Sequence, residues 1–509
     1  LGIDPRRIGP AVGAAARAQA QYEEGLERIG QEALDYARAH GVPSILLCGH
    51  IHVITDAAIN ANIPLLLRQN GTMAIPMDCF PIGEDTPRIQ KIYWGDDRRY
   101  LRAAVAARET GDVFPVLLAS FGCGPCSFTE QIFQSLLEGY PNTILESDGH
   151  GGAAGFVTRI QAFLQSVRQF IEQEDKRKDC TETPMSSYVD PKESEGSALS
   201  RDALHVLISG GESMGETFAA VYRAFDYDAV AAPAISETSV RCGQSDCSGK
   251  ECMSYQHVWG AFREYLETNP PQKETRLMQL TGNFCRAGVY EFKDKASLDR
   301  MGLSDKVSVV GLSFGYDPAM VTLVWIGLTT LDILRQCHVY HLPSESRTGE
   351  SDELFHTNVD EMLRILEAPI ASEKDALLEV EERRRQLTAV VVKAARQFAE
   401  MEDRTGPHDE LRTVFATGDI MARCNDFANA GLYYEMSERG VRVVVDPLMD
   451  FFEFLARRHS KLIFPRGTPS EFVEYAVDMW AGMRGEMYTA VSEILPWIPQ
   501  PEVVETLQR

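Results

Sequence analysis

The stretch FPVLLASFGCGPCSF, residues 114–128, decides the fold. Its first part, FPVLLAS, predicts a buried strand, and the glycine-rich turn FGCGPC follows before a helix expected from about residue 128. A strand that passes through a short turn into a helix is the repeating unit of a parallel α/β sheet. Cys123 and Cys126 therefore lie at the carboxyl end of a strand, where open α/β sheets bind their ligands.

The same alternation of strands and helices extends in both directions along the chain. Strands are predicted at 44–49, 72–76, 114–120 and 143–147, then at 204–210, 228–233, 276–282 and 307–312, and a last βα unit runs from 411–419 through 442–447. Helices are expected at 11–40, 57–69, 96–109 and 352–402. The predicted fold class is α/β, with two or three lobes, each a doubly wound, mostly parallel sheet, and with C-terminal helices.

Changes in composition suggest where the domains end. Residues 173–202 are polar and almost free of large aliphatic side chains, as expected of a linker. We predict a first α/β lobe at 1–175, a linker at 176–202, a second α/β lobe at 203–345, and a helical segment with a C-terminal βα unit at 346–509.

The net charge of the chain argues against a nucleic-acid partner, and its hydropathy argues against a membrane span. The chain of 509 residues has a formal net charge of −24, which disfavours nucleic-acid binding because that mode needs Lys and Arg against phosphates. The most apolar stretch, 307–328, is interrupted by Asp317 and Pro318, so we predict a cytoplasmic protein with no membrane span. A start at Leu1 without a methionine or a basic leader indicates a fragment, a processed product or an incompletely read start.

Most of the eleven cysteines fall in two groups in loops after predicted strands. The groups are Cys79, Cys123 and Cys126 in the first lobe, and Cys242, Cys247, Cys252 and Cys285 in the second. Thiolates suit iron–sulfur clusters and zinc, but structural zinc sites usually pair two C-x2-C knuckles close in sequence, which this chain lacks. The spacing favours an iron–sulfur cluster, with zinc, redox thiols or a purely structural role as the alternatives, and disfavours a disulfide framework.

The remaining cysteines have plainer explanations. Cys48 and Cys337 lie in apolar segments and are predicted to be buried hydrophobic residues. Cys180 lies in the polar linker and has no expected role. Cys424 follows a predicted strand, so its position would let it reach a site, although no other cysteine is near it in sequence.

Two glycine-rich turns resemble nucleotide-binding motifs, but the residues around them do not fit such motifs. The turn at 149–154 formally fits the dinucleotide pattern, but Glu172 ends a helix rather than the second strand that should carry the ribose-binding carboxylate. The segment GGESMGET, 210–217, lacks the lysine of a P-loop. ATP, if the function involves it, is therefore expected on another chain or on a segment missing from this sequence.

Three further residues are candidates for chemistry near the cluster. His150, in the turn at 149–154, and His257, on a predicted helix after Cys252, are candidate proton donors, although a packing role for His257 is the plainer alternative. Arg286 would either compensate the negative charge of a cluster or flank the sheet edge.

These residues lie within segments that resemble a known family. The segments are LLCGHIHVITDAAINANIPLLLRQNG, IPMDCFP, YWGDDRRYLRAA, SFGCGPCSF, DGHGGAAGFVTRIQAFL, SGKEC, GNFCRAGVY and GDIMARCNDFAN. Together they resemble the 2-hydroxyacyl-CoA dehydratases and their relatives, in particular the cluster-bearing region of acyl-CoA dehydratase activase-related proteins. The resemblance implies flavodoxin-like lobes around cysteine-bound clusters, a homodimer, and a separate ATP-hydrolysing activase that carries its own 4Fe-4S cluster and delivers electrons.

The chain departs from the activase-related pattern at two positions. In similar activase-related proteins, a residue other than cysteine stands at the position of Cys79, and an aspartate stands at the position of Cys126. This chain has cysteine at both positions. With both present, the resemblance favours the double-cubane branch, in which two 4Fe-4S cubanes share a sulfide to form an 8Fe-9S cluster. The implied ligands are Cys79, Cys123, Cys126, Cys247, Cys252 and Cys285, with Cys242 as the alternative to Cys247.

The predicted function follows from this ligand set. We expect the catalytic component of an ATP-dependent, low-potential reductase, an oxidoreductase that acts on small molecules. The alternatives are a 2-hydroxyacyl-CoA dehydratase or acyl-CoA reductase component with a 4Fe-4S cluster, and a non-enzymatic electron-transfer protein.

Overall fold

The protein is described here from a computed structural model. The described residues are 8–87, 89, 92–147, 153–173, 199–280, 285–312, 317–372, 374–405, 411–458 and 468–501. The chain divides into two compact units. The first comprises Leu1–Ser194, Ser248–Glu251 and Asn283–Ala296, and the second comprises Glu195–Cys247, Cys252–Gly282 and Ser297–Arg509.

The first unit is built on a four-stranded parallel sheet. Its strands are β1 (Ser44–Gly49), β2 (Met73–Pro76), β3 (Val113–Ser120) and β4 (Thr143–Ser147), in the order β2-β1-β3-β4. The register pairs Ser44 with both Met73 and Val113. Every residue of β1 is buried, as expected of an apolar strand covered on both faces. Because the chain runs from β1 to β2 on one side and then returns to β3 on the other, β1 and β3 border the point where the winding reverses.

Helices and one short 3-10 turn connect these strands. They are α1 (Ile8–His40), α2 (Ile51–Thr55), α3 (Ile63–Gln69), a 3-10 turn (Met77–Cys79), α4 (Gly95–Thr110), α5 (Gly124–Leu136) and α6 (Ala153–Glu172).

The second unit repeats this sheet. Its strands are β5 (Leu204–Leu207), β6 (Ala229–Ala231), β7 (Thr275–Gln279) and β8 (Val307–Gly311), all parallel and in the order β6-β5-β7-β8. The helices that follow them along the chain are α7 (Met214–Ala224), α8 (Glu237–Ser245), α9 (Met253–Thr268), a 3-10 turn (Arg286–Val289) and α10 (Tyr290–Arg300).

The C-terminal part of the second unit is mainly helical. It contains α11 (Pro318–His341), a 3-10 turn (Leu342–Ser344), α12 (Glu350–Glu367), α13 (Ala376–Thr405), β9 (Arg412–Ala416), α14 (Ile420–Cys424), α15 (Leu432–Glu438), β10 (Val441–Val445), α16 (Leu448–Arg458) and α17 (Ser470–Ser492). The strands β9 and β10 pair in parallel. A small core of Val339, Leu342, Tyr433, Val443 and Val445 joins this pair to the end of α11.

One stretch of the described chain is long and apolar enough to cross a membrane. It is Pro318–Ser344, with a mean hydropathy of 1.3, and 94% of its most apolar window is buried inside the protein. Such burial is compatible with a core helix of a soluble protein.

The α/β fold class with parallel sheets is confirmed, and two helix boundaries are corrected. The helix expected at 57–69 begins only at Ile63, because Ala61 and Asn62 adopt left-handed backbone angles, with φ of 51° and 57°. The helix expected from residue 128 begins at Gly124, since Pro125 suits the first turn of a helix. The domain boundaries predicted at residues 175, 202 and 345 stay predictions.

Candidate metal centre

The carboxyl ends of β1 and β3 bring together one histidine and two cysteines of the first unit. His50 directly follows β1, Cys123 follows β3, and Cys126 lies in the first turn of α5. One ligand atom from each of the three residues lies within 4.8 Å of the other two. This position is the switch point at which doubly wound sheets bind their ligands.

The spacing of these atoms has a chemical meaning. Cys126 Sγ lies 3.9 Å from His50 Nε2. A thiolate sulfur and an imidazole nitrogen on one tetrahedral zinc ion lie about 3.6 Å apart, because the metal–sulfur and metal–nitrogen bonds are about 2.3 and 2.1 Å long. The group therefore has the compactness of ligands around one soft metal ion, and its sulfur and imidazole donors suit zinc, copper or iron.

The two cysteines of the C-x2-C motif differ in their proton affinity. Cys123 caps the N-terminus of α5, and a hydrogen bond from the thiol of Cys126 lowers the pKa of Cys123 to about 6. The pKa of Cys126 is raised, first by that shared hydrogen bond and then by its burial. Cys123 is therefore the thiolate of the pair at neutral pH.

A buried carboxylate orients His50. Asp97, on α4, lies 2.9 Å from His50 Nε2 and has a side chain with no exposed surface. It also accepts hydrogen bonds from Tyr100 Oη at 2.9 Å and from Thr129 Oγ1 at 2.8 Å. The hydrogen bond to Asp97 raises the pKa of His50 and engages the same Nε2 atom that faces Cys126, so a metal ion bound at Nε2 would displace that hydrogen bond.

Cys79 lies in the loop that follows the neighbouring strand, β2. It ends the 3-10 turn Met77–Cys79 and is partly buried. Burial, followed by the charge of Asp78, raises the pKa of its thiol. Helix α1 passes directly over it, since a Cβ atom at Gly30 would lie 1.6 Å from the carbonyl oxygen of Cys79.

Cys285 also belongs to the first unit, although it follows β7 in the chain. Tyr93 Oη donates a hydrogen bond to the carbonyl oxygen of Cys285. The neighbouring Arg286 lies over the C-x2-C turn, because its Cδ is 3.3 Å from where a Cβ of Gly124 would be. Neither Cys79 nor Cys285 is within the 4.8 Å group of His50, Cys123 and Cys126.

The other predicted ligands lie in the second unit. Cys242 is on α8, and its Sγ lies 3.7 Å from Oε2 of Glu267 on α9. Burial and this carboxylate raise the pKa of Cys242. Cys247 follows α8, and Cys252 caps the N-terminus of α9.

The remaining cysteines match their plainer explanations where the structure describes them. Cys48 and Cys337 are fully buried, as predicted, and burial raises the pKa of both. Cys424 ends α14, its carbonyl accepts a hydrogen bond from the Glu212 amide, and burial raises its pKa to about 11. Cys180 lies outside the described residues.

Of the two candidate proton donors, the structure describes His257 but not His150. His257 lies on α9, is 4% exposed, and has a pKa lowered by burial. His150 and the turn around it lie outside the described residues.

Sequence reasoning missed His50 and Asp97. His50 carried a usable signal, because it directly follows a predicted strand, in the same way as the cysteines that were selected. Asp97 carried none, since an acidic residue in the first turn of a helix is usually a solvated one.

Comparison with known proteins gives one match, which covers the N-terminal part of the chain. The model of the CoA enzyme activase uncharacterised domain (DUF2229) matches residues 1–80. The matched segment contains α1, β1, His50 and β2, and it ends one residue after Cys79. The match covers 80 of the 509 residues of the chain. No curated protein matches the chain, and no solved structure does.

Proposed function

We propose that this chain is the iron–sulfur component of an ATP-dependent, low-potential reductase that acts on small molecules. The observation that carries the proposal is the group of His50, Cys123 and Cys126 at the switch point of a parallel sheet. Electrons would come from a separate ATP-hydrolysing activase with its own 4Fe-4S cluster. The matched activase-related domain supports that pairing.

The donor chemistry of the predicted ligands fits a cluster. Cys123 and Cys252 occupy the N-cap positions of α5 and α9, and the Sγ of Cys285 accepts a hydrogen bond from the Ala287 amide. The pKa of Cys123 is lowered to about 6, first by the hydrogen bond from Cys126, so its thiolate is available to a metal at neutral pH.

The proposed cluster is the 8Fe-9S double cubane, held by two sets of three cysteines. The ligands would be Cys79, Cys123 and Cys126 in one set, and Cys247, Cys252 and Cys285 in the other. We favour Cys247 over Cys242 because the thiol of Cys242 faces the carboxylate of Glu267, which disfavours its thiolate. When bound, the cluster would supply single electrons at low potential.

Around that cluster, the chain's own residues would orient ligands and deliver protons. Asp97 holds the imidazole of His50 against the sulfur of Cys126. His150 and His257 are the proposed proton donors to substrate. We further propose a homodimeric, cytoplasmic protein.

The first test is the metal content of anaerobically purified full-length chain. We expect iron and acid-labile sulfide in near-equal amounts, with about eight irons per chain for a double cubane. About four irons would leave a single 4Fe-4S cluster, and zinc alone would end the proposal, because the group around His50 would then be a zinc site.

The second test is the substitution Cys126→Ser. It should remove or split the cluster, which would be measured as a loss of bound iron and a changed visible absorption spectrum. The control is Cys337→Ala, which removes a fully buried thiol from α11 and should leave both readouts unchanged. Unchanged iron in Cys126→Ser would remove this residue from the ligand set.

A second candidate function is a 2-hydroxyacyl-CoA dehydratase or acyl-CoA reductase component with a 4Fe-4S cluster. The description of the matched domain as part of a CoA enzyme activase favours it. It predicts that a CoA thioester changes the electronic spectrum of the iron-loaded chain, whereas a double-cubane reductase of other small molecules would show no such change.

A further inference from the structure

The C-x2-C turn at the start of α5 places two thiols next to each other. The sulfur atoms of Cys123 and Cys126 lie within 4.8 Å of each other. A disulfide bond needs about 2.05 Å between its sulfur atoms. A rotation about the Cα–Cβ bond of Cys123 shortens the distance without moving the helix, because Cys123 precedes the first helical residue. The two thiols are therefore placed to form a bond with each other.

The same two thiols differ in their access to solvent. Cys123 is partly exposed, whereas Cys126 is only 2% exposed. The turn that leads into Cys123 lies open at the surface, since Phe121 is 70% exposed and Gly122 is exposed as well. A small molecule in solution therefore reaches the sulfur of Cys123 first.

A reachable thiol beside a shielded one is the arrangement that thiol–disulfide exchange requires. Exchange begins when a thiolate attacks one sulfur of a disulfide, and it passes through a mixed disulfide. A second thiol then resolves the mixed disulfide, provided that its sulfur lies close to the first. Cys79 is outside the group of mutually close ligand atoms that contains Cys123 and Cys126, so Cys126 is the resolving thiol that the geometry offers.

We propose that Cys123 and Cys126 exchange with small disulfides and form a reversible disulfide bond with each other when no metal is bound. The Cys123 thiolate attacks one sulfur of the small disulfide, whose S–S bond breaks and releases one thiolate. The sulfur of Cys126 then attacks the sulfur of Cys123 and releases the second thiolate. The protons lost by the two cysteines go to the two released thiolates. Two protein thiols are thereby oxidised to one disulfide, and one small disulfide is reduced to two thiols.

Exchange and metal binding exclude each other at this pair. The thiolate is the form that binds a metal ion, and a disulfide contains none. In the iron–sulfur component proposed above, on which this consequence rests, the disulfide would keep an empty site from taking up metal until a thiol reduced it. The exchange itself does not depend on that function.

The test is treatment of the metal-free, full-length chain with glutathione disulfide, followed by alkylation and peptide mass spectrometry. The tryptic peptide 109–159 contains Cys123 and Cys126 and no other cysteine. We expect this peptide to lose both alkylation sites and the mass of two hydrogen atoms, and dithiothreitol to restore both thiols. A peptide that keeps two free thiols, or that carries a lasting glutathione adduct, would overturn the proposal.

Single substitutions test the order of attack. Cys126→Ser removes the resolving thiol, so the mixed disulfide with glutathione should accumulate at Cys123. Cys123→Ser should leave Cys126 free of glutathione, because Cys126 is shielded; an adduct there would contradict the proposed order. The control is Cys424→Ser, which removes another partly exposed thiol, at the end of α14. It should leave the bond between Cys123 and Cys126 unchanged.

Iron content separates this proposal from the proposed function. The disulfide in a chain that binds neither iron nor acid-labile sulfide would support the exchange and count against the reductase. Iron binding by a chain whose two thiols both stay free after oxidation in the metal-free form would do the reverse. If both proposals are correct, the iron-loaded chain should form the disulfide only as it loses iron.

Discussion

Cys123 and Cys126 show how strongly position changes the chemistry of one residue type. Both belong to a single C-x2-C motif, but Cys123 caps a helix and is partly exposed, whereas Cys126 is 2% exposed. The pKa of the first falls to about 6 while the pKa of the second rises. At neutral pH the pair is therefore one thiolate and one thiol, and a metal ion bound to both sulfurs would displace the remaining proton.

This asymmetry predicts the pH dependence of alkylation in the metal-free chain. The thiolate is the reactive form, so the rate at Cys123 should rise with pH and reach half its maximum near pH 6. Cys126→Ala removes the hydrogen bond and should move that midpoint up towards the ordinary value of 9.0. The measurement is iodoacetamide labelling resolved by peptide mass spectrometry.

Cys242 provides an internal comparison in the same experiment. Burial and Glu267 raise its pKa, so its labelling midpoint should lie above 9.0. A midpoint for Cys123 as high as that of Cys242 would contradict the role of the Cys126 hydrogen bond.

At the scale of elements, a single glycine lets α1 pack closely against the loop after β2. Gly30 is buried, and the missing Cβ lets the helix lie directly against the carbonyl of Cys79. The long helix thereby fixes the loop after β2, which carries one of the proposed ligands. The family match ends at this same loop.

Gly30→Ala should therefore push α1 and the loop apart. We expect a loss of about 1–3 kcal/mol in the free energy of unfolding and faster maleimide labelling of Cys79. The control is Gly25→Ala on the same helix, where a Cβ meets nothing within 4 Å. It should stabilise the helix by about 0.5–1 kcal/mol. Thermal unfolding and peptide-resolved labelling check both, and equal effects would show that the close approach at Gly30 is unimportant.

At the scale of the whole molecule, two short segments from later in the chain belong to the first unit. They are Ser248–Glu251 and Asn283–Ala296. Lys250 pairs with Glu130 and Glu146, at 2.6 and 2.9 Å, and Glu251 forms a buried ion pair with Lys293. Lys250 thus holds the first segment against α5 and β4, and the Glu251–Lys293 pair attaches the two segments to each other.

Lys293→Met should loosen that attachment. It leaves the carboxylate of Glu251 buried without its cation, which costs about 3 kcal/mol. Hydrogen exchange at the Ser248 amide, which bonds to Glu251, should then accelerate about a hundredfold. Lys295→Met is the control, because its partner Glu291 is on the same helix and the pair is partly exposed. It should change the free energy of the opening that permits exchange by less than about 1 kcal/mol. Similar exchange rates in the two variants would contradict the role of the buried pair.

The sequence by itself determined the α/β class and the placement of cysteines after strands. Apolar runs such as 44–49 and 114–120 are long enough to predict buried strands, and strand ends place their loop residues at one edge of a parallel sheet. The helix boundaries near residues 57 and 128 were less predictable, because left-handed angles at Asn62 and a proline in the first turn of α5 act locally.

Only the tertiary structure decided which groups meet. His50 and Cys126 are 76 residues apart, and the order β2-β1-β3-β4 brings them within 3.9 Å. The burial that lowers the pKa of His257 also depends on packing between distant segments, such as α9 and the loop that carries Phe427. The pKa and the burial of a side chain depend on groups that are distant in sequence, so the sequence pattern does not predict them. Strand and helix periodicity depends on neighbouring residues, so the sequence predicts it.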